Sequence, residues 1–259
     1  MKRSSYFLII NFALLLFNFS SCKKDEAIHD HTALTGLFKV EFEHSFDGAE
    51  FSFDSTYIDA QGDTLHFSKF DYYISNLQLV KSDGSIWSQP DSYFLIKSSD
   101  DLSRLISIAD VPVGDNTGIN FSIGVDSTHN VSGAQTGALD PANEMFWDWN
   151  TGYIFIKTEG TISTFFQASV FEYHIGGFQT ANATNCVHKV SQTFGGSTLT
   201  IAPNTAPQIH MAVDLSRFFN GTSDSLSVAS MPMIHDPGLE AVKAANRFQE
   251  AFEFEHLHQ

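Results

Sequence analysis

The chain has 259 residues, of which 30 are acidic and 14 are basic, giving a formal net charge of −16. Binding to the phosphate backbone of a nucleic acid requires a basic surface, so this charge balance argues against a nucleic-acid partner. The 25 phenylalanines supply enough apolar volume for one large core.

The N-terminal segment has the three-part pattern of a secretory signal peptide. Met1–Arg3 is basic and Tyr6–Phe19 is almost wholly apolar. This apolar run is shorter than the roughly 20 residues that a membrane-spanning helix needs. Phe19–Cys22 resembles a bacterial lipobox, which implies that residues 1–21 are removed and that Cys22 is acylated.

A cysteine that carries several acyl chains holds a protein durably at a bilayer surface. We therefore expect a lipoprotein attached through Cys22 to the outer membrane, at its periplasmic face or at the cell surface. Residues 22–36 are polar and short of core residues, as in a tether. Within them, Lys23–Glu26 resembles the charged export signal of Bacteroidota-type lipoproteins, and an ordinary solvated tether explains these charges equally well.

A β-strand pattern begins at Leu37. In residues 37–46, apolar side chains and His44 alternate with polar ones, which is typical of a half-buried strand. Similar patterns, separated by turn residues, cover residues 65–80, 85–87, 119–125, 152–160, 165–175, 198–201 and 208–215. Residues 100–108 have the features of a short helix or a helical turn, and residues 238–250 those of a capped helix with Pro237 at its first position. Strands that recur without alternating helices favour an antiparallel β-sandwich, and we predict one such domain over residues 37–259 with a short C-terminal helix.

Recognisable catalytic motifs and disulfide pairs are both missing from the sequence. There is no G-x-S-x-G elbow, P-loop or dinucleotide fingerprint, so we expect a protein that is not an enzyme. Once Cys22 is acylated, Cys186 is the only thiol that remains. A solitary cysteine is more often a small buried residue than a metal ligand.

Histidine is the residue type that carries the most functional information here. His44 continues the apolar face of its strand, and His174 follows the aromatic positions of another strand. A strand at residues 252–258 would project two phenylalanines, His256 and His258 from one face. Neutral imidazole suits copper and zinc. The alternative for each histidine is a hydrogen-bonded residue at the rim of a sheet.

The densest aromatic stretch is Met145–Phe155, in which Trp147 and Trp149 flank an aspartate. A functional interpretation makes it a redox-active or ligand-stacking patch, because tryptophan offers a large π face and one N–H donor. A structural interpretation makes it a plug that closes one end of the sandwich, and packing is the commoner role of such aromatics.

Several stretches of the sequence resemble the MbnP-like domain family, which is named after the periplasmic copper-binding protein associated with methanobactin. These stretches are Phe70–Leu79, Phe121–Asp126, Leu139–Pro141, Met145–Gly160 and Tyr173–Gly176. The resemblance implies a β-sandwich that binds copper through histidine. In some characterised relatives an oxidised tryptophan, kynurenine, contributes to the site, and a di-haem peroxidase-like partner performs the oxidation. Trp147 or Trp149 would be the residue modified in this chain.

The leading functional hypothesis is therefore a membrane-anchored protein that binds copper, with His44, His174 and His256 as the preferred ligands. The alternative is an envelope binding or assembly module. It would hold a glycan, a peptide or a neighbouring envelope protein through exposed tryptophans, with Trp147 and Trp149 as the contact.

Overall fold

Strands dominate the computed structural model, which describes residues 34–148, 152–179, 184–220 and 227–259. The predicted signal peptide, Cys22 and most of the predicted tether lie outside these residues, as does Trp149. Ala33–Gln259 forms one compact unit. None of the described helices is long and apolar enough to cross a membrane.

The described part of the chain contains seventeen strands and four α-helices. The first nine strands are β1 (Thr35–Phe46), β2 (Ala49–Glu50), β3 (Tyr57–Ile58), β4 (Thr64–Lys81), β5 (Ile86–Ser88), β6 (Tyr93–Lys97), β7 (Leu105–Pro112), β8 (Gly114–Ile123) and β9 (Phe146–Asp148). The others are β10 (Gly152–Tyr153), β11 (Ile156–Ser163), β12 (Ala168–Ile175), β13 (His188–Thr193), β14 (Leu199–Ile201), β15 (Gln208–Asp214), β16 (Met233–Ile234) and β17 (Phe252–His258). The helices are α1 (Asp101–Arg104), α2 (Ser127–Asn130), α3 (Leu215–Asn220) and α4 (Leu239–Gln249).

The strands form two main sheets and confirm the predicted β-sandwich. The smaller sheet has five strands in the order β17-β15-β1-β2, with β7 also paired to β1. The larger sheet has ten strands built around β13-β8-β4-β11-β12-β16, and β9 and β10 form a separate ribbon. Most pairs are antiparallel, but β1 pairs with β15, and β12 with β16, in parallel.

The core lies between the two main sheets and is rich in aromatic rings. Phe42 on β1 lies with its ring centroid 6.4 Å from that of Tyr72 on β4 and 5.9 Å from that of Phe121 on β8. Phe248 of α4 packs on Tyr72 at 5.2 Å. Edge-to-face pairs of this kind add to the free energy gained by burying apolar area. The alternation predicted for residues 37–46 is confirmed, because every second side chain of this strand is buried.

The two predicted helical segments behave differently. The C-terminal helix is present as α4, but its N-cap is Gly238, so Pro237 precedes the helix rather than opening it. In residues 100–108 only one turn is helical, with the Asp100 carboxylate accepting a hydrogen bond from the Leu102 N–H at 3.1 Å. The chain then enters β7, because Ile106 and Ile108 alternate with exposed residues and pair with β1.

Candidate metal centre

Three histidines cluster on the outer face of the five-stranded sheet, the face directed away from the core. His210 lies on β15, and His256 and His258 lie on β17. His210 pairs directly with His256, and Gln208 pairs with His258. The neighbouring residues of β15, Ile209 and Met211, point into the core and are fully buried, so alternation along the strand directs His210 outward.

A β-bulge places the two histidines of β17 on this face. Met211 pairs with Phe254 while His210 pairs with His256, so Glu255 is an extra residue on β17. An extra residue shifts the alternation of side chains by one position. The prediction that the phenylalanines and histidines of this strand share one face is therefore wrong: Phe252 and Phe254 pack on the core, whereas the histidines face outward.

The three imidazoles lie within reach of one small ion. One ligand nitrogen from each ring lies within 4.8 Å of the other two. The Nε2 atoms of His256 and His258 are 3.1 Å apart. The His210 ring stacks on His256, with centroids 4.2 Å apart and planes 11° apart, and lies 4.6 Å from the His258 ring.

Carboxylates and an amide surround the other side of His210. Its Nδ1 is hydrogen-bonded to a carboxylate oxygen of Glu43 and lies 3.6 Å from Glu41. The side-chain nitrogen of Gln208 lies 3.0 Å from Nε2 of His210 and donates to Glu41. Because a carboxylate only accepts, the His210–Glu43 bond places a proton on Nδ1, and in the neutral ring Nε2 accepts a hydrogen bond from the Gln208 amide. A carboxylate that holds the second nitrogen of a histidine is the usual outer partner of a metal ligand.

His44 lies on the opposite, core-facing side of the same sheet and is only 4% exposed. Its Nε2 is 2.9 Å from the Tyr72 hydroxyl, and its Nδ1 is 2.8 Å from the Ser98 hydroxyl. Burial, reinforced by the charge of Arg104, lowers the pKa of His44 to about 3. This imidazole is therefore neutral, and both of its nitrogens are engaged within the protein.

His174 lies on the other sheet, on β12. Its Nε2 is 2.8 Å from Glu159, and its ring stacks on His235 with centroids 4.7 Å apart. Burial lowers the pKa of His174, although the hydrogen bond with Glu159 opposes this shift. His235 is in turn paired with Glu172 at 3.0 Å.

The structure therefore does not bring the three preferred ligands together. His44 and His256 occupy opposite faces of one sheet, and His174 belongs to the other sheet. Of these three residues, only His256 is a member of a metal-sized cluster within the described ranges. The physical reason is that side-chain alternation along β1 turns His44 toward the core, while His174 lies on β12 of the ten-stranded sheet.

Trp147 is half-buried and packs against the core cluster. Its ring edge lies 2.9 Å from the position that a Cβ would occupy on Gly176, so a larger residue at Gly176 would displace the ring. This placement matches the structural interpretation of the aromatic stretch. Cys186 is buried, its thiol lies 3.2 Å from the carbonyl oxygen of Gly176, and burial raises its pKa to about 12.

The comparisons with known proteins agree with the fold. A family model for MbnP matches residues 35–235. The chain belongs to the MbnP family. The solved structure of MbnP from Methylosinus trichosporium aligns with a TM-score of 0.53 over 80% of this chain and 87% of that chain. The two sequences are 17% identical, so this likeness shows a shared fold. No curated protein matches the chain.

The matched region divides the histidine cluster of this MbnP family member. His210 lies inside residues 35–235, and His256 and His258 lie beyond them. The latter two reach the cluster because α4 leads the chain back to β15, where β17 becomes the edge strand of the five-stranded sheet.

Proposed function

We propose that this MbnP family member binds a transition-metal ion, copper, through the imidazoles of His210, His256 and His258. The observation that carries the proposal is the convergence of three ligand nitrogens within 4.8 Å on one face of a sheet. Each of these side chains extends from a paired strand, so the backbone positions of the ligands are fixed before an ion arrives.

The spacing of the nitrogens supports this proposal. Two nitrogens that each lie about 2.0–2.1 Å from an ion are about 2.9 Å apart at a right angle and about 3.3 Å apart at a tetrahedral angle. The Nε2 atoms of His256 and His258, at 3.1 Å, fall between these values. Without an ion, the Nε2–H of one ring donates to the Nε2 of the other; binding of an ion by both atoms requires this proton to move to Nδ1 of its own ring or to solvent.

The chemistry of the donors favours copper over hard cations. Imidazole nitrogen suits copper and zinc, whereas magnesium and calcium prefer oxygen ligands, and copper is bound most strongly of the divalent first-row metals. Glu43 is not required as a ligand. Its negative charge acts on the ion indirectly, through its hydrogen bond with the His210 ring. The side-chain amide of Gln208 lies beside Nε2 of His210. This amide has to move away before Nε2 can bind an ion.

Competition titration of the compact unit, residues 33–259, tests the proposal. The protein is prepared without a polyhistidine tag, since a tag would add a metal site, and is titrated with copper against a chromophoric chelator. One equivalent of tight copper is expected. The double variant His256→Ala, His258→Ala is expected to lose it, because two of the three nitrogens are removed.

The matched control is the double variant His174→Ala, His235→Ala, which removes another stacked pair of histidines from the other sheet. Copper binding should persist in this control. Stoichiometric binding that survives the loss of His256 and His258, or that disappears in the control instead, would rule out the proposed centre.

We further propose that the protein is held at the outer membrane by acylation of Cys22 and that it acts as a binding protein, not as an enzyme. The lipobox-like segment before Cys22 supports the first part. The intact mass of protein extracted from its native envelope tests it, since a mature chain that starts at Cys22 with added acyl mass is expected. The di-haem peroxidase-like partner stays a prediction from the family resemblance.

A further inference from the structure

We infer that the tip of the β11–β12 hairpin is a membrane-contacting element that inserts two phenylalanine rings into the interfacial region of a lipid bilayer. Phe165 is 95% exposed and Phe166 is 90% exposed. The two rings contact each other edge to face, with centroids 5.2 Å apart. They form a compact apolar tip at the end of two paired strands.

Three backbone N–H groups of the tip are hydrogen-bonded within the loop. The Thr164 N–H donates to the Gln167 carbonyl at 2.8 Å, and the Thr164 hydroxyl oxygen accepts from the N–H groups of Phe166 and Gln167 at 3.1 Å each. Unpaired backbone groups are costly in an apolar medium. Internal pairing of these three N–H groups lowers the cost of placing the loop at the edge of a bilayer.

The tip also lacks charge, although the chain as a whole is acidic. Residues 161–171 contain no Asp, Glu, Lys, Arg or His, whereas the whole chain carries a formal charge of −16. Charged side chains would have to lose hydration on entering the interface. Nearby strand positions add exposed apolar surface. Val170 is 53% exposed, and Ile58 is 57% exposed and pairs with Thr64 of β4, the strand that separates it from Ser163 of β11.

The size and shape of the tip favour lipid over a protein partner. Two phenylalanine rings bury at most about 500 Å², whereas a stable protein interface buries about 800 Å² on each partner. Insertion into lipid needs no complementary surface, only apolar rings that project from the fold. Insertion of the tip requires only the folded unit, and neither acylation of Cys22 nor metal binding.

Vesicle sedimentation tests the inference. Residues 33–259, without the lipidated cysteine, are mixed with sucrose-loaded phosphatidylcholine vesicles. Each ring is expected to contribute about tenfold to a hundredfold to the partition coefficient, so Phe165→Ser, Phe166→Ser should abolish measurable binding. Raising the salt concentration should not release the protein, because the contact is apolar. Anionic vesicles should bind it less, because the protein is acidic.

The matched control is Leu102→Ser, which removes an apolar side chain that is 85% exposed on α1; its partition should equal that of the parent chain. A parent chain that does not sediment with vesicles overturns the inference. Equal partition of the parent chain and the double variant also overturns it. Sedimentation velocity gives a third test. If the parent chain forms dimers that the double variant does not form, and the parent chain does not bind vesicles, then a second copy of the chain covers the tip and the inference is overturned.

Discussion

Replacing His44 by glutamine should remove part of the acid sensitivity of the fold. Burial lowers the pKa of His44 to about 3, against an ordinary value of about 6.5. The unfolded chain therefore takes up a proton at this residue between these two pH values, and the folded chain does not. The resulting contribution to stability is fully present above pH 6.5 and is lost as the pH falls toward 3. Between pH 7.5 and pH 4.5 the loss amounts to about 2.5 kcal/mol.

Urea denaturation at these two pH values, with a chelator present, measures the effect. The loss of unfolding free energy on acidification should be about 2.5 kcal/mol smaller in His44→Gln than in the parent chain. Ser98→Ala is the control, because it removes one hydrogen bond of the ring but keeps the imidazole. It should lower stability at both pH values and retain the pH dependence. Equal acid sensitivity of His44→Gln and the parent chain would refute the neutral, buried state of His44 and with it the reason for excluding this residue as a ligand.

Four further outcomes are expected. Glu43→Gln should weaken copper binding by about 10- to 100-fold, the usual effect of losing an outer partner of a metal ligand; unchanged affinity in the competition titration would remove Glu43 from the site. Deleting Glu255 removes the bulge but leaves His256 opposite His210, so copper binding should persist, and its loss in a folded variant would contradict the assigned register. Cys186, whose pKa burial raises to about 12, should resist iodoacetamide at pH 8 until urea unfolds the chain, as followed by mass spectrometry. Cys22→Ala should make the protein removable from envelope membranes by an alkaline wash, whereas the parent chain should stay with the membranes; a variant that resists the wash as the parent chain does would argue against acylation at this residue.

Local alternation predicted much of the fold. Apolar and polar side chains alternate along residues 37–46, and this alternation predicts both the strand and the inward direction of His44. Such a pattern can be recognised within a single strand, without knowledge of its neighbours. The recurrence of such strands predicted the sandwich, and the structure confirms it. The parallel pairing of β1 with β15 depends on contacts between segments that are far apart in sequence, and periodicity carries no information about such partners.

The candidate site was harder to predict for the same reason. His210 lies in a strand that was predicted, but only its pairing with β1 and β17 shows that Glu43 and His256 are its neighbours. The bulge at Glu255 reverses the alternation that the sequence suggests for β17, and neither glycine nor proline marks it. The sequence does contain a signal for His210. This residue lies an even number of residues from Gln208 and Asp214, so alternation places all three side chains on the polar face of the strand.

Anomalous diffraction from crystals of the copper-loaded compact unit tests the central claim most directly. Data collected on either side of the copper absorption edge should show one peak about 2 Å from nitrogens of His210, His256 and His258. The His210–Glu43 hydrogen bond should be retained. A stoichiometric copper peak at any other position, or none near these three rings under saturating copper, would contradict the account.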